Sequence, residues 1–364
     1  MKVLAVTQDF GFGPTSMLNR AIACLPVGAQ VECWVPRHLG GLIDSRPNVS
    51  LRILPPTSIL CEIKLSDFDA AIVACDYSLA RIIRKEVPKV VVFDMLFWFW
   101  DKPPIASDED FLVIAQNFLG VEKQSFGIRS VRIVGPLLPV ESRVPFQDAE
   151  RKGVIVNLGG FSSPCHGRRQ ASIYASIVYS SIERLTQEGF EVTVSGGDLV
   201  LARLAEMRPV GVSHLGIFSH SDFRSRLARA SFFITTPGLG SIYEALFAGT
   251  HTYLLPPTNL TQSIQKNIAV MELKTISSFS NSALLPSGGT SAHQEAEFIA
   301  RLFETYEKNM AGITEALAAD ITQAVLKPKH DRKSVADEAA SFIEKMGGAG
   351  EGKAIEILAE FLRA

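Results

Sequence analysis

The chain of 364 residues has no excess of positive charge: 36 Lys and Arg stand against 38 Asp and Glu, a formal net charge of -2. A protein that grips a polyanion needs a basic footprint, so a nucleic acid polymer is not an expected partner. Cysteine is scarce and scattered. Cys24, Cys33, Cys61, Cys75 and Cys165 are odd in number and include no CxxC pair. That argues against a disulfide framework or a metal site and fits a reducing, cytoplasmic compartment. No apolar run is long enough to span a bilayer. The opening run from Met1 to Val6 stops at Gln8-Asp9, so it reads as a first β-strand and not as the apolar core of a signal peptide.

What is present is ample core material. Hydrophobic residues make up 47% of the chain, and the length suits two domains of ordinary size. The most informative stretch runs from Ser231 to Asn267. Ser231 to Ile234 is short and apolar, as a buried parallel strand should be. Gly238 and Gly240 let backbone N–H groups approach a ligand where a side chain would block it. Ser241 is placed to cap a helix from Ile242 to Ala248, which Gly249 ends. A helix N-terminus behind a glycine turn is a ready anion site, most often for phosphate. Glu244 lies one helical turn past Ser241, where a carboxylate can accept two hydrogen bonds from a ribose diol. The alternative is an ordinary strand–helix–strand of an α/β protein.

In its order of parts this stretch resembles the donor-binding signature of GT-B glycosyltransferases. It is most similar to that of the plant and bacterial UDP-sugar transferases and of the transferase that adds N-acetylglucosamine to the peptidoglycan lipid precursor. The matching residues are Gly238, Gly240, Ser241, Glu244, Ala245, Ala248, Gly249, Pro256, Gln262 and Asn267. Where many of these enzymes have a His contacting the pyrophosphate, this chain has Thr236. The resemblance implies an α/β GT-B fold of two Rossmann-like domains facing across a cleft, with the nucleotide-sugar on the second domain. It also implies no cofactor and no bound metal, since a helix dipole and backbone donors stabilise the leaving pyrophosphate. No DxD metal motif of the GT-A type closes a strand.

The rest of the chain fits two such domains. Lys2 to Thr7, the glycine loop Gln8 to Ser16, a helix from Met17 to Leu25 and a strand from Val31 to Val35 begin a Rossmann-like unit. Gly11-Phe12-Gly13 lacks the third glycine of a dinucleotide fingerprint. The loop resembles the Gly-His-x-x-Pro segment of the UDP-sugar transferases, but Pro14 stands where the catalytic His is usual. The acceptor side is therefore assigned to Phe12 and Gly13. Further strands are read at 49–54, 69–75, 89–94, 111–116 and 130–134, closing a first domain over 1–145. A polar linker precedes a second unit over 153–330, and 331–364 supplies helices that in GT-B proteins often cross back to the first domain.

Several residues are candidates for chemistry. The aromatic segment from Met95 to Trp100 is either core packing or an acceptor platform, with Phe97, Trp98 and Trp100 as stacking rings. On the donor side Gly159 and Gly160, and Gly197 on the neighbouring strand, either bring backbone donors to the phosphates or only turn the chain. The resemblance places Phe218 at the nucleobase, and Asn259, Gln262 and Gln265 at the sugar hydroxyls, where neutral amides offer donors and acceptors alike. His251 reads as structural. His166 reads as part of a solvated loop, or else reaches the phosphates with Arg168 and Arg169. With the usual His absent, the base that takes the acceptor proton is assigned to Asp9, with Asp94 as the next candidate or an orienting partner; the alternative for Asp9 is that it only turns its loop. The expected activity is transfer of a sugar from a UDP-sugar to a small-molecule acceptor. A UDP-sugar 2-epimerase and a non-catalytic nucleotide-sugar-binding partner are the alternatives.

Overall fold

The computed structural model describes residues 1–54, 64–100, 105, 111–138, 151–161, 165–279 and 294–364. Most of the expected linker, Asp101, Cys61 and the first part of the His166 loop lie outside the described residues. Two parallel sheets organise the chain. The first contains β1 (Lys2–Thr7), β2 (Gln30–Val35), β3 (Val49–Ile53), β4 (Ala70–Ala74), β5 (Val90–Asp94), β6 (Leu112–Gln116) and β7 (Val131–Val134), in the order β3-β2-β1-β4-β5-β6-β7. The second contains β8 (Val154–Asn157), β9 (Val192–Ser195), β10 (Val212–Gly216), β11 (Phe232–Thr235), β12 (His251–Leu254) and β13 (Ile276–Ser278), in the order β10-β9-β8-β11-β12-β13. Each sheet reverses its strand order beside its first strand, between β1 and β4 and between β8 and β11. That reversal opens a crevice at the carboxyl ends of the strands, where doubly wound folds place ligands.

Burial explains the strand choice. β4, β5 and β6 are buried at every residue, as continuous Val/Ile/Ala runs require when helices cover both faces of a parallel sheet. The edge strand β3 is largely exposed. Among the described residues the α-helices are α1 (Phe12–Ala23), α2 (Tyr77–Arg84), α3 (Val121–Ser125), α4 (Arg168–Gln187), α5 (Asp198–Met207), α6 (His220–Arg229), α7 (Leu239–Ala248), α8 (Leu260–Glu272), α9 (Glu295–Lys308), α10 (Met310–Leu326), α11 (Arg332–Lys345) and α12 (Glu351–Arg363).

Three helices start earlier than the apolar spacing predicts. α1 begins at Phe12, so the glycine loop shrinks to the residues before it; Pro14 fits the first turn because its missing N–H has no intrahelical partner there. α4 begins at Arg168, and its first turn is polar and carries no apolar period. α7 begins at Leu239 behind Gly238, so Ser241 is a residue of the first turn and not the cap. Both ends of α7 matter below. At its C-terminus Arg151 donates to Ala248 O at 2.7 Å, to Gly249 O at 3.3 Å and to Thr250 Oγ1 at 2.9 Å. A cation there satisfies orphan carbonyls and complements the dipole.

The chain divides into two compact units. One comprises Met1–Asp9, Gly13–Val140 and Ile343–Ala364; the other comprises Phe10–Phe12 and Glu141–Phe342. Within the first unit the chain end is clasped tightly. Gly350 N donates to Pro136 O at 2.9 Å, Asn117 Nδ2 donates to Met346 O at 3.1 Å, and Lys89 Nζ donates to Leu362 O at 2.5 Å. A Cβ on Gly135 would come within 2.1 Å of Gly348 O. Gly135→Ala is expected to destabilise this unit by about 1–3 kcal/mol, the scale of overpacking against a backbone that has nowhere to go. Chemical denaturation checks it; an unchanged midpoint would show that the clasp is loose.

Candidate functional site

The carboxyl end of the second sheet is assembled around Asn157, which closes β8. Its Nδ2 donates to Thr235 Oγ1 at 3.2 Å and to Ser241 Oγ at 3.0 Å, and its Oδ1 accepts from Gly159 N at 3.2 Å. One amide thus fixes the end of β11, the first turn of α7 and the glycine turn after β8. Gly159 has φ 71°, a conformation that suits glycine, and a Cβ there would meet Thr236 Oγ1 at 2.8 Å. Gly197 N donates to Gly159 O at 2.8 Å, and a Cβ on Gly197 would sit 1.7 Å from Gly160 O. The two glycine turns therefore interlock backbone to backbone.

Two helices point their N-termini into this arrangement with no side-chain cap. α5 starts behind Gly197 and α7 behind Gly238. Three other helices carry a side-chain cap, Asp76 accepting from Leu79 N, Ser219 from Asp222 N and Asn259 from Gln262 N, while α3, α9, α10 and α12 also start without one. The first-turn N–H groups of a helix have no intrahelical partner. In α7 they are left to whatever approaches Gly238, and there a Cβ would meet nothing closer than Ser241 Oγ at 4.0 Å.

Three ring groups hold the loop after β12. Tyr174 Oη donates to Pro256 O at 2.7 Å and Tyr306 Oη to Pro257 O at 2.7 Å. His166 Nε2 lies 2.9 Å from Thr258 O, a distance that requires the ring to carry its proton on that nitrogen. These rings gather with Phe161 and Phe303 into one aromatic cluster. Burial shifts the His166 pKa down from its ordinary value, with the Thr258 carbonyl acting in the opposite direction. Three successive carbonyls of this loop are thus satisfied by side chains.

No protein-family model and no curated protein sequence matches the chain. Solved structures do. A transferase structure from Arabidopsis thaliana, UGT89C1 complexed with UDP-L-rhamnose, is similar over 99% of this chain and 99% of its own at 15% identity, with a TM-score of 0.55. Os79 from O. sativa, solved with U2F and trichothecene, matches over 99% and 100% at 12% identity with a TM-score of 0.59. A UDP-glucosyltransferase from Polygonum tinctorium capable of glucosylating indoxyl matches over 100% and 98% at 12% identity with a TM-score of 0.55. The chain has the GT-B fold.

Within that GT-B chain the expected donor residues divide into two sets. Gly159, Gly160, Gly197, Gly238, Gly240 and Ser241 come together at the crevice of the second sheet, with Gly238, Gly240 and Ser241 half-buried. Glu244 is buried in the second turn of α7 with Oε1 against His220 Nε2, and the rest are committed elsewhere. Thr236 is buried at 2% exposure under Gly159, so its side chain is enclosed and does not replace a phosphate-binding His. Asn259 Oδ1 caps α8 and accepts from Thr261 Oγ1 at 2.9 Å. Gln262 Oε1 accepts from Thr258 N at 2.9 Å and Thr258 Oγ1 at 3.0 Å, which leaves its NH2 as the group able to reach a ligand. Gln265 is buried. Phe218 belongs to an apolar cluster with Ile155, Phe223, Leu227 and Phe233. Its ring stacks on His214 at 4.7 Å, and the Arg226 guanidinium lies 4.5 Å from its centroid.

In the first unit the aromatic segment proves to be mostly core. Phe97 is fully buried, and Trp98 packs edge-on against Phe118 at 5.1 Å while its Nε1 donates to Met95 O at 3.1 Å. Neither offers a face to an acceptor; Trp100 is half-buried. Phe12 and Gly13, in the first turn of α1, are also half-buried. Asp94 is buried, with Oδ2 accepting from Tyr77 Oη at 2.8 Å and Oδ1 from Leu96 N at 2.6 Å. Burial raises its pKa, and the Leu96 N–H, the Tyr77 hydroxyl and the Trp100 side chain pull it back. With one oxygen bound to Leu96 N in its own loop and the other to Tyr77 Oη at the start of α2, Asp94 is a scaffold residue and not a base. Asp9 differs: its side chain is 53% exposed, and its Oδ1 lies 3.3 Å from Nε2 of His38, itself 35% exposed. His166, expected in a solvated loop, is enclosed by aromatic rings. His251 is structural, stacked on Phe232.

Sequence reasoning missed Asn157, His38 and His220. Asn157 had a signal, a lone amide closing an apolar strand just before Gly159. His38 and His220 had none, because their partners lie far off in the chain. Among the described residues no cluster of His, Cys, Asp or Glu is placed to hold a metal, and no helix is long and apolar enough to cross a membrane.

The two helix-capping glycines should behave differently. Gly197→Ala is expected to destabilise by about 3 kcal/mol or more through its backbone clash. Gly238→Ala has open space and should cost about 1 kcal/mol or less, the loss of a tolerable cap. Denaturation midpoints of the two variants test this; equal losses would contradict the interlocked-turn geometry.

Proposed function

We propose that the protein is a metal-independent glycosyltransferase that moves a sugar from a UDP-sugar to a small-molecule acceptor. The observation that carries this reading is the uncapped N-terminus of α7, open at Gly238 and fixed by Asn157 at the carboxyl edge of a GT-B second sheet. The first-turn N–H groups of α7 would receive the pyrophosphate, with the positive end of the dipole stabilising charge as the sugar–phosphate bond breaks. Arg151 at the other end of the same helix neutralises its orphan carbonyls. Glu244 would accept the ribose hydroxyls, and the NH2 of Gln262 would meet the transferred sugar. The UDP-L-rhamnose and trichothecene bound in two fold neighbours and the indoxyl glucosylated by a third support the same substrate classes.

The acceptor hydroxyl must lose a proton as the new bond forms. The Asp9–His38 pair is assigned that task. It stands just past the carboxyl ends of β1 and β2, both side chains are accessible, and a carboxylate beside an imidazole fixes its tautomer and stabilises the imidazolium once the proton arrives. This revises the expectation that Asp9 acts directly. A second reading, a non-catalytic nucleotide-sugar-binding protein, is favoured by Pro14 standing where the usual His would be.

The test is UDP release from a UDP-sugar panel, with and without acceptors. Release that depends on an acceptor supports transfer; binding without release supports the second reading; isomerised donor with no acceptor supports an epimerase. Glu244→Ala should weaken UDP binding by about 1–3 kcal/mol by calorimetry. Asp9→Asn and His38→Ala should each lower turnover by about 10²–10⁴-fold with UDP affinity intact. Near-full turnover in both would remove the pair from the mechanism.

A further inference from the structure

α6 and α7 share one buried polar contact. His220, the first residue of α6, places Nε2 2.5 Å from Oε1 of Glu244 in the second turn of α7, and each side chain is 6% exposed. Against a carboxylate oxygen the ring nitrogen must be the donor. The position of His220 is fixed from behind, because Ser219 caps α6 by accepting from Asp222 N. The surroundings of Glu244 on α7 are apolar: Ile242, Tyr243, Ala245, Leu246 and Phe247 are all buried.

Cohesion does not account for this pair. The two helices already meet through Phe223, Leu227, Phe233, Ala245 and Ala248 in one apolar cluster. Burying a carboxylate and an imidazole is expensive, and a well-packed apolar pair of similar volume usually holds helices as well or better. What the pair adds is direction. It ties the segment just after Phe218 to the helix just after the Gly238 turn, and it sets the direction of one carboxylate oxygen of Glu244.

We infer that His220 is a positioning residue of the donor site, holding the Glu244 carboxylate in the orientation that accepts from a vicinal diol, so that the site selects ribonucleotides over 2′-deoxyribonucleotides. The inference rests on the nucleotide-sugar reading above and deepens it. His220 itself touches no substrate. It acts by presenting one carboxylate orientation without an entropic cost at the moment of binding.

The experiment is calorimetric binding of UDP and of 2′-deoxy-UDP to the full chain, to His220→Ala and to His220→Gln, whose amide restores a donor. The wild type should prefer UDP by about tenfold or more, the scale of one hydrogen bond to a charged acceptor. His220→Ala should lose about tenfold in UDP affinity and little in 2′-deoxy-UDP affinity, so the preference collapses, and His220→Gln should recover part of it. An equal loss for both nucleotides, or none for either, makes the pair merely structural and overturns the inference. Should His220→Ala fail to fold, the wild-type preference and the His220→Gln variant still decide. Equal wild-type binding of both nucleotides refutes the diol role while leaving the nucleotide reading standing; binding of neither refutes the nucleotide reading itself.

Discussion

The second unit depends on how three chain segments are held at the end of β8, and one amide holds them. Asn157 reaches Thr235, Ser241 and Gly159 at once. Without it the end of β11, the start of α7 and the first glycine turn would have no common reference. Its hydrogen bonds lie in a buried setting, where a satisfied network rigidifies and a half-satisfied one is costly. The result is a helix start whose backbone donors are aimed and left uncapped.

Lack of a cap alone does not set α7 apart, since α3, α9, α10 and α12 also start uncapped; its place at the carboxyl edge of the second sheet, fixed by Asn157, does. α6 and α8 spend a Ser and an Asn on their first-turn donors, and α7 spends nothing. Its far end is satisfied by Arg151. Around it, Tyr174, Tyr306 and His166 tie down the Pro256–Thr258 carbonyls, so the polar loop after β12 starts from a fixed place. Rigid elements carrying an unsatisfied set of donors are what a site for a dianionic group requires, since preorganised dipoles need no rearrangement when charge develops.

The strands and the glycine turns were legible because their signals are local. Buried parallel strands such as β4 to β6 read directly as apolar runs, and Gly159, Gly197 and Gly238 mark turns that the backbone geometry confirms. Helix starts were read late where the first turn is polar or contains proline, as in α4 and α1, since apolar spacing reports only the buried face. The side-chain roles were the least legible part. Asn259 and Asp94 carry the right chemistry for a ligand, yet the fold commits Asn259 to the first turn of α8 and Asp94 to Leu96 N and Tyr77 Oη. Phe97 and Trp98 read as core or as platform alike, because an aromatic cluster looks the same in a loop and in a core; burial makes them core. The pairs His220–Glu244 and Asp9–His38 join residues on separate elements, so no spacing rule could find them.

The central claim is that a nucleoside diphosphate lies with its phosphates on the first turn of α7. A crystal structure of the protein grown with UDP tests it most directly. The account predicts phosphate oxygens within hydrogen-bond distance of the backbone N–H groups of Gly240 and Ser241, with the ribose hydroxyls at Glu244. UDP seated elsewhere, with the N-terminus of α7 open to water, would contradict it.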